Sequence, residues 1–290
     1  MNQNKIAFVL EGGAMRGLYT VGVLDTFMKN GINTHAILGV SAGALFGINF
    51  KSKRMGRALR YNLKYAHDKR YMSMNSLLTT GDIMNKKFCF DDIIYKLDKF
   101  DFETFNSSPI DFFAVVTNLV TGKAEYIKID DAHSKLEYLR ASGSMPFVSK
   151  IVKTRGKYLL DGGITDSIPI QKALDMGFDK NIVVLTRPVG YRKKPMPWFV
   201  KILAKCVYKK YPKFIQAMFE RYQMYNNQVD LVADLQKQGK IIVIRPSRFI
   251  DISRMETNLD TIKQMYQLGR EDAQQMLPQI KAFLKKKSAL

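Results

Sequence analysis

The chain has 290 residues, 46% of them hydrophobic, enough for one large domain with a tail or for two small ones, each with a real core. Its 46 Lys and Arg stand against 26 Asp and Glu, a net charge of +20 that concentrates polyanions, either nucleic acid or anionic lipid, around it. No apolar run approaches the roughly 20 residues of a spanning helix, and Cys89 and Cys206 are far apart with no partners at ligand spacing, so neither a membrane span nor a metal centre is expected.

The first predicted element is a buried strand, Ile6-Ala7-Phe8-Val9-Leu10. It is too short, and lacks the basic leader and cleavage site, to read as a signal peptide. It runs into Glu11-Gly12-Gly13-Ala14-Met15-Arg16-Gly17, after which Leu18, Val21, Leu24, Phe27 and Met28 recur at helical spacing. A glycine-rich turn between strand and helix offers bare N–H groups to an anion, either a phosphate or the oxyanion of a tetrahedral acyl intermediate. A dinucleotide site would need an acid about 20 residues on, at the end of a second strand. Asn33-Thr34-His35-Ala36-Ile37-Leu38 has none, and the second strand delivers Ser41 instead.

Ser41 stands in Gly39-Val40-Ser41-Ala42-Gly43, between the apolar run 36–38 and a small-residue helix. A serine between two glycines on a sharp strand-to-helix turn projects its hydroxyl clear of the backbone, as a nucleophile requires. Alone the pattern is short enough to occur by chance. Basic residues follow at helical spacing, Arg54, Arg57, Arg60 and Lys64, then a helix and loop over 91–105 and a strand over 112–117. Tyr158-Leu159-Leu160-Asp161-Gly162-Gly163 is a short strand ending in an acid and two glycines, either a capped turn or a base held at a strand end. The only histidines are His35, His67 and His133. None follows Asp161, so the order Ser, acid, His of the α/β-hydrolases is excluded and a carboxylate acting directly on Ser41 is the economical alternative.

Residues 12–17, 39–43 and 161–163, in this order, resemble the three signature blocks of the patatin-like phospholipases, and residues 140–147 resemble that family's small-residue helix and Pro turn. The motif-bearing part spans about 6–172. The resemblance implies an α/β class, three-layer α/β/α fold with a mostly parallel sheet, and a lipid acyl hydrolase working through an acyl-enzyme without cofactor or metal. Ser41 is implied as nucleophile and Asp161 as base, with Gly12, Gly13, Ala14 and Ala42 at the oxyanion hole. Arg16, Gly17, Gly39, Gly43, Gly162 and Gly163 are implied as loop supports. Two positions depart from the pattern: Glu11 stands where Asp is common, and Ala14 replaces a glycine, restricting φ and narrowing the approach of a bulky acyl group.

Beyond the motifs, 166–177 reads as a helical crossover, 182–186 and 241–245 as strands, and 258–287 as a helix interrupted at Pro278. The expected division is a catalytic domain over 1–190 and a basic, mainly helical extension with one added strand over 191–290. With no nucleic-acid-binding signature present, a lipid or acyl-ester substrate and an anionic membrane surface are the expected partners; oligomeric state is not legible. On a helix over 197–210, Phe199, Ile202, Leu203 and Cys206 share a face beside a row of Lys201, Lys205 and Lys209, with Trp198 as an anchor at the interface. The competing reading turns that face onto the core. The expected location is cytoplasmic, with peripheral contact at the inner face of the membrane left open. Two further functions stay in play: an esterase or thioesterase for soluble acyl esters, and a non-catalytic membrane-binding protein.

Overall fold

The structure is a computed structural model and describes residues 5–286. Its strands are β1 (Ile6–Leu10), β2 (Ala36–Val40), β3 (Asp111–Asn118), β4 (Lys123–Lys128), β5 (Val152–Thr154), β6 (Lys157–Asp161), β7 (Lys180–Val184) and β8 (Ile241–Ile244). The helices are α1 (Leu18–Lys29), α2 (Ala42–Lys51), α3 (Arg57–Tyr65), α4 (Met74–Thr80), α5 (Phe102–Ser107), α6 (Leu136–Ser142), α7 (Ile170–Asp175), α8 (Trp198–Val207), α9 (Pro212–Lys237) and α10 (Leu259–Lys285). A wide-turned π-helical segment covers Lys87–Leu97.

Strands β8, β7, β1, β2 and β3 lie side by side and parallel, and β4, β5 and β6 join antiparallel. A parallel sheet needs both faces covered. Accordingly Phe8 and Leu10 of β1 join a core with residues of α1, α2 and α10, while Ala7 and Val9 point the other way into a second core with Ile170 of α7 and Val232 and Leu235 of α9. The result is the mixed α/β fold, with a mostly parallel sheet between helical layers, expected from the motifs.

One feature of the topology sets up the site. On one edge of β3, β2 pairs with residues 111–115, ending at Val40 opposite Val115. Strand β4 pairs with 113–118 and so must occupy the opposite edge. Strand β6 pairs with 116–118, residues that β4 also covers, and so lies on the same edge as β2, taking over where β2 stops. Asp161 sits opposite Val116, one residue beyond the partner of Val40. The end of β6 therefore meets the residue that follows β2.

Some expectations need correction. α10 runs unbroken through Pro278, because its missing N–H frees only the carbonyl of exposed Gln274 while Leu277 and Ile280 stay buried. The closing lysine run extends past the described residues at Lys287. Strands β4 and β5 are additional, one half-buried with mixed polarity and the other three residues long, both weak sequence signals. The basic stretch after α2 is no free cationic face: Arg57 and Arg60 grip Asp98, Arg54 pairs with Asp101, and the buried Lys51 lies over the Phe105 ring. On α8 the apolar residues do not turn onto the core. Ala204 packs inward, whereas Trp198 is 74% exposed, Phe199 60% and Ile202 54%.

Candidate active site

Ser41 ends β2 and opens α2 with φ 54° and ψ −123°, outside the regions comfortable for an L-residue. The turn is tight enough to need its flanking glycines. A methyl on Gly39 would lie 2.7 Å from Ala44 Cα, and one on Gly43 would lie 2.4 Å from the Leu10 carbonyl oxygen. Buried Ser142 braces the strained residue: its hydroxyl accepts the Ser41 N–H at 2.9 Å and donates to the Val115 carbonyl at 2.7 Å. Ser142 lies in the small-residue stretch before the last motif, but nothing in its sequence context marks it as a brace for residue 41.

The Ser41 hydroxyl donates to Asp161 Oδ2 at 2.6 Å, across 120 residues of chain. The second carboxylate oxygen accepts the Gly163 N–H at 2.7 Å, so both oxygens are engaged, while Thr117 Oγ1 donates to the main-chain carbonyl of Asp161. Burial pushes the Asp161 carboxyl above its ordinary range; the Ser41 hydrogen bond, the Arg221 guanidinium and the Gly163 N–H oppose that rise in part. No histidine lines either cavity beside Ser41. His35 instead uses Nδ1 to accept the Ile6 N–H, a structural duty.

The glycine-rich loop is tethered through Glu11. One carboxylate oxygen accepts from Thr186 N at 2.6 Å and from its hydroxyl, and the other accepts the Tyr225 hydroxyl at 2.9 Å. The longer side chain at this position thus ties the loop to the end of β7 and to α9. The backbone N–H groups of Gly12, Gly13, Ala14 and Ala42 have no hydrogen-bond partner among the described residues. Ala14 adopts φ 50°, the left-handed region that a glycine would occupy without strain. Gly17 packs under Ala42 and Phe46 where the loop meets α2. Arg16 is half-buried with its Nε unpartnered, and burial together with neighbouring Arg187 lowers its guanidinium to about 10.

Two cavities meet at Ser41, sharing Ala14, Ser41 and Met145 in their walls. One is apolar, running between α2 and the π-helical segment past Phe46, Phe90, Ile93 and Leu139. The other opens on the Asp161 side and is lined by Glu11 and by five cationic side chains, Arg16, Arg187, Lys193, Arg221 and Arg254. Of these, sequence reasoning singled out only Arg16. Arg221 sits on α9 and donates from Nε to the Gly163 carbonyl at 2.6 Å, beside the Asp161 turn. The α8 residues Trp198, Lys201 and Lys205 line neither cavity, although Met196 and Val200 beside them line the polar one. Lys201 lies over the Phe219 ring, and Lys205 is exposed.

The family model described as patatin-like phospholipase matches residues 8–174, more than half of the chain. The chain belongs to the patatin-like phospholipase family. A second model, a domain of unknown function (DUF6363), matches residues 211–285. Among curated relatives, uncharacterized protein YjjU of Escherichia coli (strain K12) is 24% identical over 300 residues, covering 99% of this chain and 81% of that one. Lysophospholipase nte1 of Emericella nidulans is 27% identical over 193 residues, and patatin-like phospholipase domain-containing protein 7 of Rattus norvegicus 31% over 206. These cover 60% and 65% of this chain but only 11% and 14% of theirs. Among solved structures, VipD from Legionella pneumophila aligns with a TM-score of 0.47 at 13% identity, over 96% of this chain and 67% of that one. Ser41 and Asp161 both lie within the patatin-like phospholipase match, whereas Arg187, Lys193, Arg221 and Arg254 lie beyond it.

Proposed function

We propose that this chain is a lipid acyl hydrolase in which Ser41 is the nucleophile and Asp161 the general base. The observation that carries the reading is the 2.6 Å hydrogen bond from Ser41 Oγ to a buried, doubly anchored carboxylate, with an apolar cavity opening beside it. Ser41 Oγ attacks the ester carbonyl while its proton passes to Asp161. The developing oxyanion is held by the free N–H groups of the 12–14 loop and Ala42, each such donor worth about 3 kcal/mol of barrier by analogy with other hydrolases. Asp161 returns the proton to the departing alcohol, leaving an acyl-Ser41 ester. It then takes a proton from water as that water attacks and returns it to the departing Ser41 Oγ, and the fatty acid leaves. The acyl chain occupies the apolar cavity.

Access to lipid is assigned to α8. Its exposed Trp198, Phe199, Ile202 and Leu203, rimmed by exposed Lys205 and Lys209, form a surface suited to an anionic bilayer interface, and the same segment borders the polar cavity. No helix among the described residues is long and apolar enough to cross a membrane. The extension from about residue 190 is accordingly read as the part that brings the catalytic domain to lipid. The test is fatty acid release from mixed phospholipid vesicles by wild type, Ser41→Ala and Asp161→Asn, with a soluble short-chain ester in parallel. Loss with both substitutions supports the dyad. Activity confined to the soluble ester retains the dyad and removes the lipid claim. Undiminished hydrolysis by Ser41→Ala overturns both.

A further inference from the structure

We propose that the polar cavity on the Asp161 side of Ser41 is a phosphate subsite formed by Arg187, Lys193, Arg221 and Arg254. The preferred substrate is then an acyl ester whose alcohol carries a phosphate with no compensating cation, as in a lysophosphatidate-type lipid. This rests on the acyl-hydrolase reading above, because it assigns the leaving-group half of the same substrate.

The inference begins from cations that have no carboxylate partner, although Arg187 lies over the Tyr191 ring and Lys193 over the Tyr225 ring. Among the described residues, none of these four side chains makes an ion pair with a carboxylate, and only Arg221 makes a hydrogen bond, to the Gly163 carbonyl. By contrast, the buried Arg57 is held by Asp98 and Asn49. The two carboxylates at the cavity are already engaged, Glu11 by Thr186 and Tyr225, and Asp161 by Ser41 and Gly163. Arg187, Lys193 and Arg221 are half-buried and Arg254 is exposed, and cations clustered in a partly desolvated space are unfavourable unless an anion joins them. Burial, reinforced by Arg221, lowers the Lys193 ammonium to about 7, with Glu11 opposing that fall only in part.

Placement adds the second line. The two cavities meet at the nucleophile, so an ester with its acyl chain in the apolar one directs its alcohol portion into the cationic one. Guanidinium forks match phosphate oxygens bidentately, and a trimethylammonium group would bring a further cation into a cavity that already has several. All four residues lie after residue 174, outside the patatin-like match, with Arg221 and Arg254 inside the span of the second family model, so they are not components of the catalytic motifs.

The experiment compares kcat/KM of the full chain for lysophosphatidate, lysophosphatidylcholine and monoacylglycerol of one acyl length. Arg187→Gln, Lys193→Gln and Arg254→Gln are run alongside. In parallel, binding of glycerol 3-phosphate and of inorganic phosphate to Ser41→Ala is followed by calorimetry and by thermal melting. The expected result is a preference of about 10-fold or more for lysophosphatidate that shrinks with each substitution, mainly through KM, with glycerol 3-phosphate raising the melting temperature. Equal turnover of all three lipids overturns the subsite while leaving the dyad standing. Binding of inorganic phosphate without lysophosphatidate preference overturns the head-group assignment in favour of a free-phosphate site. Absence of turnover on every ester defeats the hydrolase reading. In that case glycerol 3-phosphate binding that is lost in the glutamine variants still upholds the phosphate site, and no binding rejects it. Because removing a cation that has no carboxylate partner relieves repulsion and offsets the lost contact with Tyr191 or Tyr225, the variants are expected to melt close to wild type, which separates lost binding from misfolding.

Discussion

Gly22 of α1 and Gly269 of α10 are reciprocal glycines: a methyl on Gly22 would lie 2.1 Å from the Tyr266 carbonyl oxygen, and one on Gly269 2.1 Å from that of Tyr19. Backbone meets backbone, and the crossing is pinned on both sides by hydrogen bonds from Tyr19 to Asp272 and from Tyr266 to Asp25, each 2.9 Å. Gly22→Ala or Gly269→Ala must push the helices apart. Each is expected to destabilise by about 3 kcal/mol or more, with the double variant well short of additive, as urea unfolding would read.

Ser41→Ala and Asp161→Asn are each expected to lower kcat for ester hydrolysis by about 10⁴-fold, and the double variant by little more, since groups acting as a unit are not additive. Labelling by a fluorophosphonate separates their roles. Ser41→Ala should abolish it and Asp161→Asn should slow it. Rapid labelling of Asp161→Asn would remove the carboxylate from the base role.

The pH profile carries the sign of the Asp161 environment. Burial raises its carboxyl above the ordinary 3.8, and the base must be ionised to accept a proton, so activity is expected to fall on the acid side at a pH above that ordinary value. Stability moves the opposite way. Between the unfolded value and the raised folded one the native state holds the extra proton, so this group's contribution declines as pH rises through that window. Denaturant midpoints against pH, compared with Asp161→Asn, would show the slope vanish in the variant.

Ala14 occupies the left-handed region at φ 50°. That conformation costs an L-residue about 1–2 kcal/mol, against about 0.4–1 kcal/mol of added unfolded-chain entropy for a glycine. Ala14→Gly is therefore expected to stabilise by about 0.5–1 kcal/mol, or about 2 °C in melting temperature for a chain of this size. A lower melting temperature would mean that the Ala14 methyl contributes packing in the cavity walls it lines.

The exposed apolar face of α8 gives a membrane prediction independent of turnover. Replacing Trp198, Phe199 and Ile202 together with Ser is expected to weaken partition onto anionic vesicles by about 100-fold or more, in proportion to the apolar area removed. Charge reversal at Lys205 should weaken binding to anionic but not zwitterionic vesicles. Flotation of the variants at wild-type levels would assign this face to another contact.

The sequence by itself determined what local chemistry dictates. Short continuous apolar runs wrote the central strands, the glycines around Ser41 marked a sharp strand-to-helix turn, and Asp161 before two glycines marked a strand ending in an acid. The absence of a late histidine already pointed to a carboxylate as the partner of Ser41. Sequence could not show where β3 exchanges one neighbour for another, because strand pairing is a long-range choice with no local signature. That exchange between Val115 and Val116 is what brings Asp161 to Ser41. Nor could it distinguish Arg57, paired with Asp98, from Arg254, which faces a cavity without a carboxylate partner among the described residues. Both are arginines in basic surroundings, and a charge acquires its role from what the fold packs beside it. The same holds for α8, whose pattern fits a core-facing or an outward apolar face equally well: periodicity fixes which residues share a side, and only the packing of neighbouring elements decides where that side points.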